Sequence, residues 1–251
     1  MLVNMSKVVL VTGSSKGIGA AIVEELAMNG YDVVINYNNS EEKAYELQRK
    51  IEKYNIKNMV IKCDVSNEDE VKEMIDSVVD YFGKIDVVVN NAAICLNSFF
   101  KQKTADNFTN TFNVNVNGAF LVSKYASKHM INNKWGRIIN ISSTNGVNTY
   151  YPICMEYDAS KAALISLTHN LAIELSPYVN VNAIIPGFIA TESELEGMDE
   201  EFIKSEEEKI LVKRAGKPNE IAKLVKFLIS EDADYINNSV IRIDGGQYGS
   251  N

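Results

Sequence analysis

Lys7-Val8-Val9-Leu10-Val11-Thr12-Gly13-Ser14-Ser15-Lys16-Gly17-Ile18-Gly19 sets the architecture of this chain. A valine-rich apolar run meets a glycine-rich turn, and an apolar-periodic helix follows to about Asn29. A strand, a glycine turn and a helix in that order aim backbone N–H groups and a helix N-terminus at a phosphate. Glycine serves such a turn because it takes positive φ and lets backbone approach a ligand closely. The spacing is G-x-x-x-G-x-G, which differs from the general dinucleotide fingerprint G-x-G-x-x-G. A second apolar run over Asp32 to Asn36 supplies the βαβ context.

Working outward, strand-like runs fall near 7–12, 32–37, 58–63, 85–90, 136–142, 180–186 and 238–243. Helical patterns alternate with them near 17–29, 40–54, 67–82, 105–132, 155–176 and 218–230. Alternation of this kind predicts an α/β fold, a single-domain Rossmann-type, doubly wound parallel sheet of about seven strands with helices on both faces. The domain spans 1–251 with no repeat or linker to divide it. The stretch 187–217 is irregular and rich in glutamate, and reads as a solvated acidic segment.

Composition narrows the function. A net charge of −8 argues against a nucleic-acid footprint. No uninterrupted apolar stretch is long enough for a membrane span. Met1–Lys7 lacks the pattern of a signal peptide, and Met5 is an alternative start. Cys63, Cys95 and Cys154 are odd in number and widely spaced, which fits neither a disulfide framework nor a metal site and suggests a reducing cytoplasm. His129 and His169 stand alone.

Tyr157-Asp158-Ala159-Ser160-Lys161 places a phenol and an ammonium at i and i+4 of a predicted helix. Such residues share a face, with β-carbons roughly 5–6 Å apart. A cation there favours the phenolate and should bring the tyrosine pKa below its usual value of about 10. A tyrosine so tuned is a candidate general acid or base.

Thr12-Gly13-x-x-x-Gly17-Ile18-Gly19, Asn90-Asn91-Ala92, Asn115, Ser143, Tyr157-x-x-x-Lys161 and Pro186-Gly187 together resemble the short-chain dehydrogenase/reductases over about residues 6–248. Within that family the chain looks most like the 3-oxoacyl-thioester reductases. The resemblance implies an NAD(P)-dependent oxidoreductase interconverting a ketone and a secondary alcohol. Ser143 would hydrogen-bond the substrate oxygen and Tyr157 exchange the proton. Lys161 would hold the nicotinamide ribose and depress the tyrosine pKa, and Asn115 would anchor a water linking the lysine to solvent. Ser143 is preferred to Ser142 because it stands three residues before Gly146. Gly13, Ser15, Lys16, Gly17, Ile18, Gly19, Asn36, Tyr37, Asp64, Val65, Asn91, Ala92, Tyr157, Lys161, Pro186, Gly187, Ile189 and Thr191 would line the cofactor. Asp64-Val65 would frame its adenine, and 187–217 would form a substrate lid. Homotetramers or homodimers are the family's common assemblies.

Cofactor choice turns on the end of the second strand. NAD enzymes place a carboxylate there for the ribose 2′-hydroxyl. Here Asn36-Tyr37-Asn38-Asn39-Ser40 offers none, and Lys16 supplies a positive charge, so NADP is favoured over NAD. The chain also departs from the family pattern. Ala93 replaces a usual glycine, which is harmless only at negative φ. Ile236-Asn237-Asn238 stands where Thr-Gly is common, and asparagine tolerates the left-handed region. Tyr150-Tyr151-Pro152 should border the substrate. Docking of an acyl carrier protein is weakened by the acidic lid and by the absence of a basic residue before the sixth strand. Lys124, Lys128, Lys134 and Arg137 keep it open if they form a basic patch beside the site. The substrate reading is a 3-oxoacyl thioester reduced with NADPH. A polyol, sugar or hydroxysteroid is the alternative within the family, and a non-catalytic dinucleotide-binding regulator is the alternative outside it.

Overall fold

A computed structural model describes residues 6–196 and 198–248. Its centre is one sheet of seven parallel strands: β1 (Val8–Val11), β2 (Asp32–Tyr37), β3 (Asn58–Lys62), β4 (Val87–Asn90), β5 (Gly136–Ile141), β6 (Val179–Pro186) and β7 (Val240–Ile243). The spatial order is β3-β2-β1-β4-β5-β6-β7. Strand order reverses between β1 and β4, the position at which open α/β sheets leave a crevice outside the strands' carboxyl ends.

The strands read as continuous apolar runs because both faces are covered. Val9 and Val11 point to one layer with Val33, Ile35, Val87 and Val89. Val8 and Leu10 point to the other with Val34, Val88 and Ile138. Helices α1 (Gly17–Met28), α2 (Glu41–Ile51) and α9 (Pro218–Leu228) close the first face. Helices α3 (Glu68–Phe82), α5 (Ala119–Asn132) and α6 (Met155–Glu174) close the second. None of the described helices is long and apolar enough to cross a membrane.

The single helix expected over 105–132 is divided. Helix α4 (Ala105–Phe112) passes into a π-helical segment, Asn113–Gly118, before α5 resumes the α-helical pattern. Val65 lies against this segment, since a β-carbon on Gly118 would come 2.7 Å from its Cγ2. The acidic stretch folds into α7 (Glu192–Leu195) and α8 (Glu200–Glu208). It is anchored by bridges between Ile189 and Gly216 and between Ile210 and Gln247.

Both backbone conditions raised by the sequence resolve simply. Ala93 is not among the residues with positive φ, so its methyl group carries no left-handed strain. Asn238 does adopt the left-handed region, at φ 58°.

Candidate active site

The glycine turn is built by hydrogen bonds from its neighbours. Thr12 at the end of β1 accepts at Oγ1 from the amides of Asn91 (3.0 Å) and Ala92 (3.1 Å). Asn91 returns its side-chain amide to the carbonyls of Thr12 and Gly13. This lacing draws β4 so close that a β-carbon on Gly13, at φ +58°, would stand 2.8 Å from the Ala92 Cα. Gly17 also has φ +58°, and only the Thr191 side chain lies within 4 Å of where its β-carbon would be. The acidic stretch after β6 therefore begins against the mouth of the turn.

Helix α1 opens with no side-chain cap, and the exposed Lys16 precedes it. By contrast, Asn67 caps α3 and Thr104 caps α4. Uncapped first-turn amides together with the helix dipole form a donor set for an anion. A pyrophosphate fits it, with Ser15, Lys16, Gly17, Ile18 and Gly19 around the turn.

Asn36 and Tyr37 take a different place from the one expected. Asn36 is buried beneath the turn, accepting from the Gly13 amide at 3.0 Å and donating to the Cys63 carbonyl at 3.1 Å. It builds the glycine turn, and its side chain is committed there. The Tyr37 hydroxyl donates to Glu41 Oε1 at 2.7 Å, and that carboxylate pushes its pKa up to about 12. A carboxylate therefore does stand beside the end of β2, held by a phenol. Asp64 accepts from the Ser66 amide and hydroxyl at one oxygen. Pro186 ends β6, and Gly187 has no room for a side chain because Asp244 Cβ would lie 2.6 Å away. Ile189 is buried, while Thr191 caps α7 by accepting from the Glu194 amide.

The carboxyl end of β5 brings Ser142 and Ser143 to α6. Ser142 is buried and donates to the Lys161 carbonyl at 2.8 Å, a purely structural bond. Ser143 donates to Asn145 Oδ1 at 3.3 Å and accepts from the Asn145 amide at 3.2 Å, and it lies near enough to Tyr157 to favour the charged phenol. The two serines thus differ in their partners, Ser142 being bonded to α6 and Ser143 to Asn145. Lys161 donates to the Ile141 carbonyl at 2.7 Å, with its ammonium 5.3 Å from the centre of the Tyr157 ring. Asn115, in the π segment, accepts from the Ile94 amide at 2.8 Å and donates to the Ile94 carbonyl and to Ser160. Its side chain ties the irregular stretch following β4 to α6, the helix that carries Tyr157.

One electrostatic expectation is overturned. The tyrosine pKa is raised, not lowered, chiefly by desolvation, with the Glu194 carboxylate adding to it. Burial also lowers the Lys161 pKa, from 10.5 to about 8. Spacing at i and i+4 does place the pair on one face. The amine, however, turns toward the Ile141 carbonyl, and the loss of solvent disfavours both charged forms.

Several neighbours of the site were invisible to motif reading. Glu156, directly before Tyr157, is buried with its Oε2 2.6 Å from Lys103 Nζ. The pair is a close charge contact, yet neither carboxylate oxygen has an aligned donor. Tyr151 donates to Glu206 Oε2 at 2.7 Å, joining the loop before α6 to the lid. The loop thus meets the lid, while Tyr150 is exposed. Cys95 and Cys154 meet beside Asn97. None of these partners is close in sequence, so no local pattern announces them.

The supposed basic patch is also absent. Arg137 is buried at the start of β5, the end of the sheet opposite Ser143, where it pairs with Asp234 and stacks on Trp135. Lys134 lies in the turn leading into the same strand end, and Lys124 is paired with Glu68 at 2.8 Å.

A parallel sheet with a phosphate-type turn at its switch point and a serine, tyrosine and lysine at the neighbouring strand end defines a dinucleotide-dependent oxidoreductase. A family model described as enoyl-(acyl carrier protein) reductase matches residues 13–247. The 3-oxoacyl-(acyl-carrier-protein) reductase FabG of Staphylococcus aureus is 37% identical over 245 residues, which is 97% of this chain and 99% of that one. Glucose 1-dehydrogenase 2 of Bacillus subtilis is 35% identical over 243 residues, 96% of this chain and 94% of that one. Among solved structures, the acetoin dehydrogenase YohF of Salmonella typhimurium superposes with a TM-score of 0.88 at 37% identity, covering 98% of both chains. A short-chain dehydrogenase/reductase of Serratia marcescens gives 0.90 at 34% identity, covering 96% of this chain and 97% of that one. The chain belongs to the short-chain dehydrogenase/reductase family. It is an enzyme acting on CH–OH groups, and membership implies a nicotinamide dinucleotide cofactor.

Proposed function

We propose that the chain reduces a 3-oxoacyl thioester to the 3-hydroxyacyl thioester with NADPH. The observation that carries this reading is the placement of Ser143 at the end of β5 near Tyr157 and Lys161 of α6, in a sheet whose switch point carries the uncapped start of α1. The likeness to the Staphylococcus aureus reductase supplies the substrate class. A bound dihydronicotinamide supplies the hydride. Ser143 donates a hydrogen bond to the carbonyl oxygen as charge grows there, and Tyr157 hands over its proton. Burial keeps Tyr157 in the protonated form that this direction needs. Lys161 backs the phenol, and Asn115 positions the helix that carries it.

NADPH is favoured by Lys16, exposed at the glycine turn, and by the neutral, exposed Asn38 and Asn39 after β2. The nearest carboxylate, Glu41, is engaged by Tyr37. Lys16→Ala should raise KM for NADPH several-fold and leave KM for NADH unchanged. Equal effects on both cofactors would remove Lys16 from 2′-phosphate recognition.

A second reading has its own observation. Glu194 in the lid bears on Tyr157 electrostatically, and its pKa is raised by desolvation. A carboxylate there suits a small hydroxylated substrate better than an acyl chain. A panel of 3-oxoacyl thioesters, sugars and small hydroxyketones, each assayed with NADPH and NADH, separates the readings. Turnover of sugars or hydroxyketones without thioester reduction would replace the first with the second. Saturable NADPH binding with no turnover on any member would replace both with a binding protein.

A further inference from the structure

Two cysteines 59 positions apart in sequence share one acceptor. Cys95 lies in the stretch after β4, and its Sγ donates to Asn97 Oδ1 at 3.2 Å. Cys154 stands immediately before α6, and its Sγ donates to the same oxygen at 3.0 Å. The shared acceptor brings the two thiols close enough to shift one another's titration. Their backbones run side by side, with the Ser98 amide donating to the Ile153 carbonyl at 3.1 Å. Cys95 is exposed and Cys154 half-buried, so solvent reaches the pair, while Cys63 is buried elsewhere in the core.

We propose that Cys95 and Cys154 form a dithiol site that low-molecular-weight disulfides oxidise to an intramolecular disulfide. The roles of the two sulfurs are unequal. Cys154 sits at the N-terminus of a 20-residue helix, where the dipole favours a thiolate. The neighbouring Cys95 lowers its pKa and Lys103 adds to that effect, against desolvation and the Asp158 and Glu156 carboxylates. The neighbouring Cys154 raises the Cys95 pKa, and desolvation raises it further. Cys154 therefore attacks, giving up its proton. One sulfur–sulfur bond of the small disulfide breaks, and the first small thiol leaves with that proton. Cys95 then loses its proton and attacks the Cys154 sulfur. The mixed disulfide breaks, and the second small thiol departs carrying the proton. Two protein thiols are oxidised and one small disulfide is reduced to two thiols. The new bond ties the stretch after β4 to the start of α6, three residues before Tyr157.

Exposure of the full chain to oxidised glutathione tests this directly. The titre of accessible thiols in the denatured protein should fall from the three cysteines of the chain to one. The intact mass should drop by two hydrogens with no adduct, and peptide mapping should join Cys95 to Cys154. Dithiothreitol should restore all of these. Cys95→Ser should trap glutathione on Cys154, whereas Cys154→Ser should leave Cys95 unmodified over the same time. Three thiols persisting in the wild type, a stable glutathione adduct there, or a linkage through Cys63 would each overturn the proposal.

Discussion

At the scale of single residues, the site is governed by competition between a neighbouring charge and loss of solvent. For Tyr157 solvent loss wins, and the phenol is held protonated. A protonated phenol suits donation to a growing alkoxide, so Tyr157→Phe removes the proton donor while leaving ring packing in place. Turnover should fall by about 10²–10⁴ or more, and dinucleotide binding, followed by fluorescence titration, should persist. Near-wild-type rates would take the tyrosine out of the reaction. Lys161 carries a second consequence. Its folded-state pKa is about 8, against 10.5 for an ordinary lysine. Below pH 8 it is charged in both folded and unfolded chains, and the cost of burying that charge is fully present. Between about 8 and 10.5 the unfolded chain holds the proton that the folded chain has lost, so this group makes stability rise with pH. Lys161→Met lacks that proton. The stability difference between wild type and variant, read by urea unfolding at pH 7.5 and 9.5, should shift in favour of the wild type by roughly 1–2 kcal/mol. A pH-independent difference would mean that the amine titrates normally.

At the scale of elements, every strand was legible in the sequence, the inner ones because burial on both faces makes them apolar runs and the half-buried edge strands β3 and β7 from short apolar clusters. What could not be read was the break in the 105–132 helix. Asn113-Val114-Asn115-Val116-Asn117-Gly118 keeps an unremarkable helical appearance, and the π segment arises from tertiary contacts. Gly118 is pressed onto Val65, and Asn115 is bonded to Ile94 and Ser160. The side-chain commitments of Asn36 and Asn115 were hidden for the same reason, since their partners come from other elements. Asn115→Ala would strand the Ile94 amide and carbonyl and free Ser160. The expected loss is about 1–3 kcal/mol of stability, with a larger fall in kcat than in cofactor affinity because α6 is loosened against its neighbour. Loss of stability with unchanged kcat would make Asn115 a structural residue only. Gly13→Ala attacks the other end of the crevice. It adds a β-carbon 2.8 Å from the Ala92 backbone at a left-handed φ. Dinucleotide affinity should fall at least tenfold by titration, and an unperturbed affinity would show that the turn relaxes freely.

At the scale of the whole molecule, the polarity of the parallel sheet decides which charges can matter to a substrate. All seven strands run the same way. Residues near strand starts therefore lie on the far side of the sheet from the crevice. Lys134 and Arg137 precede or begin β5, and Arg137 is spent on Asp234 and Trp135. Lys124 is paired with Glu68, and Lys128 lies over the Tyr125 ring. The stretch after β6, whose Thr191 reaches the glycine turn, is mainly acidic from Glu192 to Glu208. An acidic carrier protein approaching the crevice thus meets like charge, which repels at low ionic strength and is screened within about 10 Å at 0.1 M salt. A thioester on a free pantetheine arm escapes most of that repulsion. Raising salt from about 20 mM to 150 mM should consequently leave kcat/KM for a carrier-linked 3-oxoacyl thioester unchanged or raise it modestly, by less than about threefold. The value for a pantetheine thioester should stay flat. A steep loss of carrier-linked activity with salt, absent for the pantetheine substrate, would reveal a cationic docking surface that the distribution of lysines and arginines does not provide.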